Sequence, residues 1–145
     1  MIETELNDLL SRSSVIFSKD DLDQASRRLA EALTADYADK QPIILCVING
    51  AIVPMGQVLT HLHFPLQLDS VRASRYHGEI EPAKQLTWHA KPLLDLQDRH
   101  VIIFDDILDG GITMSGISEY CREQGAATVK TAVMIDKGVD RDPSG

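Results

Sequence analysis

Val101-Ile102-Ile103-Phe104-Asp105-Asp106-Ile107-Leu108-Asp109-Gly110-Gly111-Ile112-Thr113 opens with four apolar residues and then turns abruptly polar. An apolar run with no polar alternation reads as a strand buried on both faces, which belongs in a parallel sheet covered by helices on both sides. Two adjacent carboxylates close that strand. A third carboxylate, two glycines and a threonine follow, and residues 113–124 then carry a helical pattern that Gly125 ends. Thr128 to Ile135 reads as a further core strand.

Working outward, Ile43 to Ile48 is a second fully apolar strand, punctuated by Asn49-Gly50. Residues 51–62 can form a helix through Ile52, Met55, Val58, Leu59 and Leu62, with Pro54 tolerable because it falls in the first turn. Upstream, Leu22, Ala25, Leu29, Leu33 and Tyr37 recur at helical spacing over 19–38. Ser18 is the candidate N-cap of that helix, and Asp20 and Asp21 suit its dipole. Residues 2–10 read as a shorter, weaker helix. Leu66 to Ser74 alternates as a strand. Gly78, Pro82 and charges make 75–84 a loop, and Gln85 to Ala90 pairs back as a hairpin strand. The order predicts one α/β domain over 1–145, with a mainly parallel twisted sheet flanked by helices.

Composition narrows the function classes. The 145 residues carry 14 basic and 22 acidic side chains, a net charge of −8. That balance argues against a nucleic-acid-binding protein or a membrane-surface protein, since both need basic patches. No apolar run approaches the ~20 residues of a membrane span. The N-terminus lacks the basic-then-apolar order of a secretory leader. Cys46 and Cys121 fall in apolar or helical surroundings and read as reduced thiols. A soluble cytoplasmic domain is expected.

The chemistry concentrates in the quoted stretch. In open parallel sheets, ligands bind beyond the carboxyl ends of the strands. Gly110 and Gly111 let the backbone approach a ligand closely. The amides of 110–113 and the start of the following helix suit a phosphate, and Thr113 can add a hydroxyl donor. Asp105 and Asp106 repel a phosphate directly. They suit sugar hydroxyls, or a cation held between them and an anionic ligand. A phosphate cradle beside an acidic pair describes a site for a ribose 5-phosphate. Two acids alone would be an ordinary solvated loop; it is their order with the strand, glycines, threonine and helix that carries the reading.

The stretch resembles the phosphoribosyl pyrophosphate (PRPP) signature of type I phosphoribosyltransferases. Three further segments resemble the hypoxanthine-guanine branch of that family. Leu45-Cys46-Val47-Ile48-Asn49-Gly50-Ala51 is similar to its pyrophosphate loop. Phe64 to Asp69, with Ser74-Arg75-Tyr76-His77-Gly78, is similar to its second strand and catalytic loop. Val133-Met134-Ile135-Asp136-Lys137 is similar to the strand whose lysine reads the purine. The likeness runs from about residue 15 to the C-terminus.

The resemblance implies transfer of the 5-phosphoribosyl group from PRPP to N9 of a 6-oxopurine, releasing pyrophosphate. Asp105 and Asp106 would hold the ribose hydroxyls, partly through Mg²⁺. Asp109 would stand near purine N7 as general base or acceptor. Gly110, Gly111, Ile112 and Thr113 would bind the 5-phosphate, and Lys137 would donate to the exocyclic O6. Asn49 and Gly50 would face the pyrophosphate, where the family often turns backbone amides through a strained or cis Ile48-Asn49 bond. Arg75 or Tyr76 would approach the pyrophosphate from the loop. A homodimer or homotetramer is the family precedent. A regulator that binds PRPP or a nucleotide without catalysis is the competing class, and Asp109 and Lys137 favour the enzyme over it.

Three departures from the family pattern stand out. Asn49 replaces a frequent lysine, Ala51 a common second glycine, and Ile112 a frequent lysine. In the purine branch the lysine strand is followed by segments that stack on the base and supply another acid. Here the sequence stops at Gly145, shortly after Lys137, and its last aromatic is Tyr120. The chain is therefore expected to hold a PRPP site and only the first part of a purine site, with the C-terminal hood omitted or truncated.

Overall fold

The computed structural model describes residues 19–75, 86–108 and 112–136. Three helices and five strands follow in the order α1 (Lys19–Tyr37), β1 (Ile43–Val47), α2 (Ile52–Leu59), β2 (Gln67–Arg75), β3 (Leu86–Ala90), β4 (His100–Leu108), α3 (Ile112–Glu123) and β5 (Thr128–Asp136). The strands form one sheet in the order β3-β2-β1-β4-β5. All neighbours are parallel except β2–β3, which pair antiparallel as the hairpin.

The period of two along the central strands explains why they sit in the middle. Ile43, Leu45 and Val47 of β1 join Val101 and Ile103 of β4 under α3, with Met114, Ile117 and Cys121. The intervening residues Ile44, Cys46, Ile102 and Phe104 face the other way, onto Ala30, Leu33 and Tyr37 of α1 and Met55 and Val58 of α2. Each fully buried Ile, Leu or Phe contributes roughly 1.5–3 kcal/mol. A strand with both faces apolar gains this only between two helical layers, so β1 and β4 take the centre.

Several boundaries differ from the sequence-based expectation. The apolar strand expected over 101–104, closed by Asp105 and Asp106, runs from His100 to Leu108, so the two acids lie inside it rather than at its end. The cause is β5, which pairs with β4 through Asp105↔Val133, Ile107↔Ile135 and Leu108↔Asp136. The helix expected over 51–62 ends at Leu59. The next amides, of His61 and Leu62, bond three residues back to Val58 and Leu59, a tightening of the last turn. Pro54 falls in the first turn of α2, as expected. The cap at the end of α3 matches the reading of Gly125. Its φ is +88°. The Ala126 amide donates to the Cys121 carbonyl and the Gly125 amide to that of Arg122, a Schellman cap. The candidate helix at 2–10 and the Ser18 cap lie outside the described residues.

The first part of the β3–β4 connection is anchored by a carboxylate of β2. Asp69 Oδ2 accepts from the amides of Leu93 at 2.7 Å and Leu94 at 2.9 Å, while its Oδ1 accepts from the Ser70 amide. A lone acid within strand β2 is the sequence signal for this anchor. Among the described residues, no helix is long and apolar enough to cross a membrane.

Candidate functional site

The sheet order places the site. From β1 the chain crosses to β2 on one side and later to β4 on the other, so the connections after β1 and β4 diverge and leave a crevice at their carboxyl ends. Cys46 pairs with Phe104 in the ladder, so the residues that follow each emerge side by side. Those residues are Ile48-Asn49-Gly50 on one strand and Asp105-Asp106 on the other.

Gly50 and Asp106 meet directly. A Cβ on Gly50 would stand 2.9 Å from Asp106 Oδ2 and 3.0 Å from Oδ1. The backbone there is outside the left-handed region, so the glycine answers to proximity and not to an unusual φ. The peptide between Ile48 and Asn49 is cis, as the resemblance leads one to expect. Asn49 and Gly50 are both exposed at the mouth of the crevice. The Ile48 amide is tied to the Val71 carbonyl at 3.0 Å, and the Ile52 amide to that of Asn49 at 3.1 Å. Ala51 is wholly buried and begins α2 with ordinary helical φ. Its methyl packs in the α1–α2 core, so this departure from the family glycine is accommodated.

Along β4 the side chains alternate, so Asp105 continues the face of Val101 and Ile103, and Asp106 that of Ile102 and Phe104. The Asp106 amide donates to Asp105 Oδ1 at 2.8 Å. Burial pushes the Asp105 carboxyl up to about 7, with a further push from the side chain of Asp106 beside it. A half-buried carboxyl under that pressure gains from a neighbouring cation or from donor hydroxyls. The same two carboxylates, added to burial, also push up the Cys46 thiol on the adjacent strand. Burial raises the Cys121 thiol to about 11. Both cysteines are therefore poor nucleophiles.

Helix α3 starts at Ile112, and Thr113 is its second residue, half-buried. Its first turn carries no acidic side chain, and the first amides of any helix lack intrahelical acceptors. This end of α3 is suited to an anion. The structure thus brings Asn49, Gly50, Asp105 and Asp106 together, and sets Thr113 at the start of the helix that follows. Arg75 is the last residue of β2. Tyr76, Asp109, Gly110, Gly111 and Lys137 lie outside the described residues.

Two features assigned no role by the sequence become visible. An open groove of about 370 Å³ runs between α2 and β2, lined mainly by apolar groups such as Ile48, Met55, Leu59 and Leu68. It lacks the acidic pair and the helix terminus, so the polar chemistry lies beside it. Trp88 packs on Tyr120 of α3 with ring centroids 4.8 Å apart.

The chain is similar to known proteins of one family. The family model described as a phosphoribosyl transferase domain matches residues 16–144. A hypoxanthine-guanine phosphoribosyltransferase of Streptococcus pneumoniae is 32% identical over 123 residues, covering 85% of this chain and 68% of the relative. A hypoxanthine-guanine-xanthine phosphoribosyltransferase of Tritrichomonas foetus is 33% identical over 141 residues, covering 97% of this chain and 75% of the relative. Among solved structures, a hypoxanthine-guanine-xanthine phosphoribosyltransferase superposes with a TM-score of 0.78 at 28% identity, covering 92% of this chain and 75% of that one. A Staphylococcus aureus hypoxanthine phosphoribosyltransferase reaches 0.81 at 20% identity, covering 92% and 73%, and speaks to the fold alone.

Proposed function

Because this chain belongs to the phosphoribosyl transferase domain family, we propose that it serves purine salvage, moving the 5-phosphoribosyl group of PRPP to N9 of hypoxanthine or guanine. The bond from the ribose anomeric carbon to pyrophosphate breaks, and its electron pair leaves with pyrophosphate. The bond to N9 forms, the base gives up a proton, and the products are IMP or GMP. The observation that carries this reading is the contact of Gly50 with the Asp106 carboxylate. It joins the turn after β1 to the acidic pair of β4, which supports reading that turn as the pyrophosphate loop and the pair as the ribose site.

The roles assigned to the groups are those the family resemblance implies. Asp105 and Asp106 accept hydrogen bonds from the ribose hydroxyls. The first turn of α3, with Thr113, receives the 5-phosphate. Asn49 and Gly50 face the pyrophosphate, with Arg75 or Tyr76 approaching it. Asp109 accepts the purine proton or orients N7, and Lys137 donates to the exocyclic O6. Because the transition state has oxocarbenium character, catalysis rests on positioning and on neutralising the leaving group.

The donor set fits Mg²⁺. Among the described residues, no three His, Cys, Asp or Glu side chains gather as a metal cage. An adjacent carboxylate pair is nonetheless what Mg²⁺ uses when substrate oxygens and water complete its shell. Asp105 and Asp106 would hold it, and when bound it supplies positive charge to the departing pyrophosphate. We place the protein in the cytoplasm as a homodimer or homotetramer.

The test is direct. The protein is incubated with PRPP, Mg²⁺ and, in turn, hypoxanthine, guanine, xanthine and adenine, and nucleotide formation is followed. Turnover of 6-oxopurines over adenine is expected. PRPP binding without turnover of any base would overturn the enzymatic reading in favour of a non-catalytic binder. Asp109→Asn is expected to lower kcat far more than PRPP affinity.

A further inference from the structure

We propose that Leu86 and Gly116 are positioning residues for the phosphate end of the site, fixing how helix α3 is seated on strand β3 and hence where its first turn stands. The proposal rests on the reading of that turn as the 5-phosphate site.

Gly116 lies in the interior of α3 and its φ is not left-handed, so its backbone does not require glycine. A glycine there costs about 1 kcal/mol of helix stability relative to alanine. Its neighbour supplies the reason for it. A Cβ at 116 would stand 2.7 Å from Leu86 Cδ1, 2.8 Å from Cγ and 3.2 Å from Cδ2. Three side-chain atoms of one residue crowd the same point, and Leu86 is itself packed against the core under α3. The absent methyl lets helix and strand close together.

One helical turn further on, the same face makes the second contact. Tyr120 meets Trp88 at 4.8 Å between centroids, with the planes tilted by 51°. Lys91 Nζ lies 5.7 Å from the Trp88 ring centroid and 5.4 Å from that of Tyr120. Positions i and i+4 of the helix thus meet positions i and i+2 of the strand, the geometry of a regular seam. Leu86 also pairs with Arg75 across the hairpin, so the seam is anchored to β2. Thr113 lies three residues before Gly116, on the adjoining turn. A methyl inserted at 116 tilts or lifts that turn relative to Asp105 and Asp106, which β4 holds in place. The consequence falls on phosphate binding before it falls on the base or on chemistry.

The test compares Gly116→Ala, Leu86→Ala and the double variant. Readouts are the KM for PRPP, the KM for the base, kcat, and the emission of Trp88, the single tryptophan of the chain. Gly116→Ala is expected to raise the PRPP KM about tenfold, with the base KM and kcat within about twofold. Leu86→Ala alone is expected to raise the same KM by about threefold through a loosened seat. In the double variant the added methyl occupies the vacated space, so the PRPP KM and Trp88 emission return toward wild type. A wild-type PRPP KM in Gly116→Ala, or a defect that persists in the double variant, overturns the proposal. If Gly116→Ala does not fold, Leu86→Ala decides, and an unchanged PRPP KM overturns it. If the wild-type protein turns over no base, the functional reading fails and Trp88 emission alone judges the seam. A shift in Gly116→Ala that reverses in the double variant then sustains it, and its absence overturns it.

Discussion

Replacing Gly50 by alanine separates the needs of the site from those of the fold. The new Cβ would stand 2.9 Å from Asp106 Oδ2, where ordinary contact begins at 3.4 Å, so the carboxylate must retreat by about half an ångström (3.4 − 2.9 = 0.5). The obstructing atoms belong to a half-buried side chain rather than to backbone, so the fold can give way cheaply. With no left-handed φ to violate, the substitution also gains about 0.4–1 kcal/mol by restricting the unfolded chain. Net stability should therefore stay within about 1 kcal/mol of wild type. On the proposed reading, the displaced carboxylate would lose a charge-assisted hydrogen bond to ribose, worth about 1.5–3 kcal/mol. At 1.4 kcal/mol per decade, PRPP affinity should fall roughly ten- to hundredfold. Calorimetric titration with PRPP and Mg²⁺, alongside a thermal melt, reads both quantities. Wild-type PRPP affinity in the Gly50→Ala protein would refute the reasoning, as would a large loss of stability with affinity intact.

The remaining predictions concern charge and capping. Asp105 has its folded-state pKa raised from 3.8 to about 7, so its stabilising share is complete below pH ~4 and is lost as pH rises through 7. The full shift would be about 4 kcal/mol, but Asp105 is partly exposed, and solvent screening leaves about 1–2 kcal/mol. Asp105→Asn should therefore melt above wild type at pH 8 without divalent ions, with the gap closing toward pH 4. Identical melting curves at pH 8 would remove the buried-charge explanation. Gly125→Ala meets both a φ of +88° and the Gln97 side chain. It should cost about 1–2 kcal/mol in a denaturant melt, with PRPP affinity unchanged.

The candidate site residues stand out in the sequence because each sits at a local break in pattern. Asp105 and Asp106 interrupt an apolar run, Asn49-Gly50 ends another, and Gly110-Gly111 with Thr113 precedes a helical period. Resemblance to a family then supplied roles that periodicity cannot, such as those of Lys137 and Asp109. The lengths of elements were less legible. Nothing near Leu108 indicates that β4 continues through both aspartates, because that extension depends on pairing with β5, whose partner residues lie 28 positions further along the chain. The shorter α2 likewise reflects how the chain turns toward β2 after Leu59.

By itself, then, the sequence determined which strands are buried on both faces, and it pointed to a candidate phosphate turn with two acids before it. These follow from interactions between residues one to four apart, which set period, capping and turn conformation. Tertiary structure decided the rest. Only the adjacency of β1 and β4 brings Gly50 against Asp106, and only the seating of α3 on β3 gives Gly116 a reason to lack a side chain. Both contacts join segments distant in the chain. They arise because two apolar faces of a central sheet must be covered at once, and no local pattern specifies which neighbour will cover them.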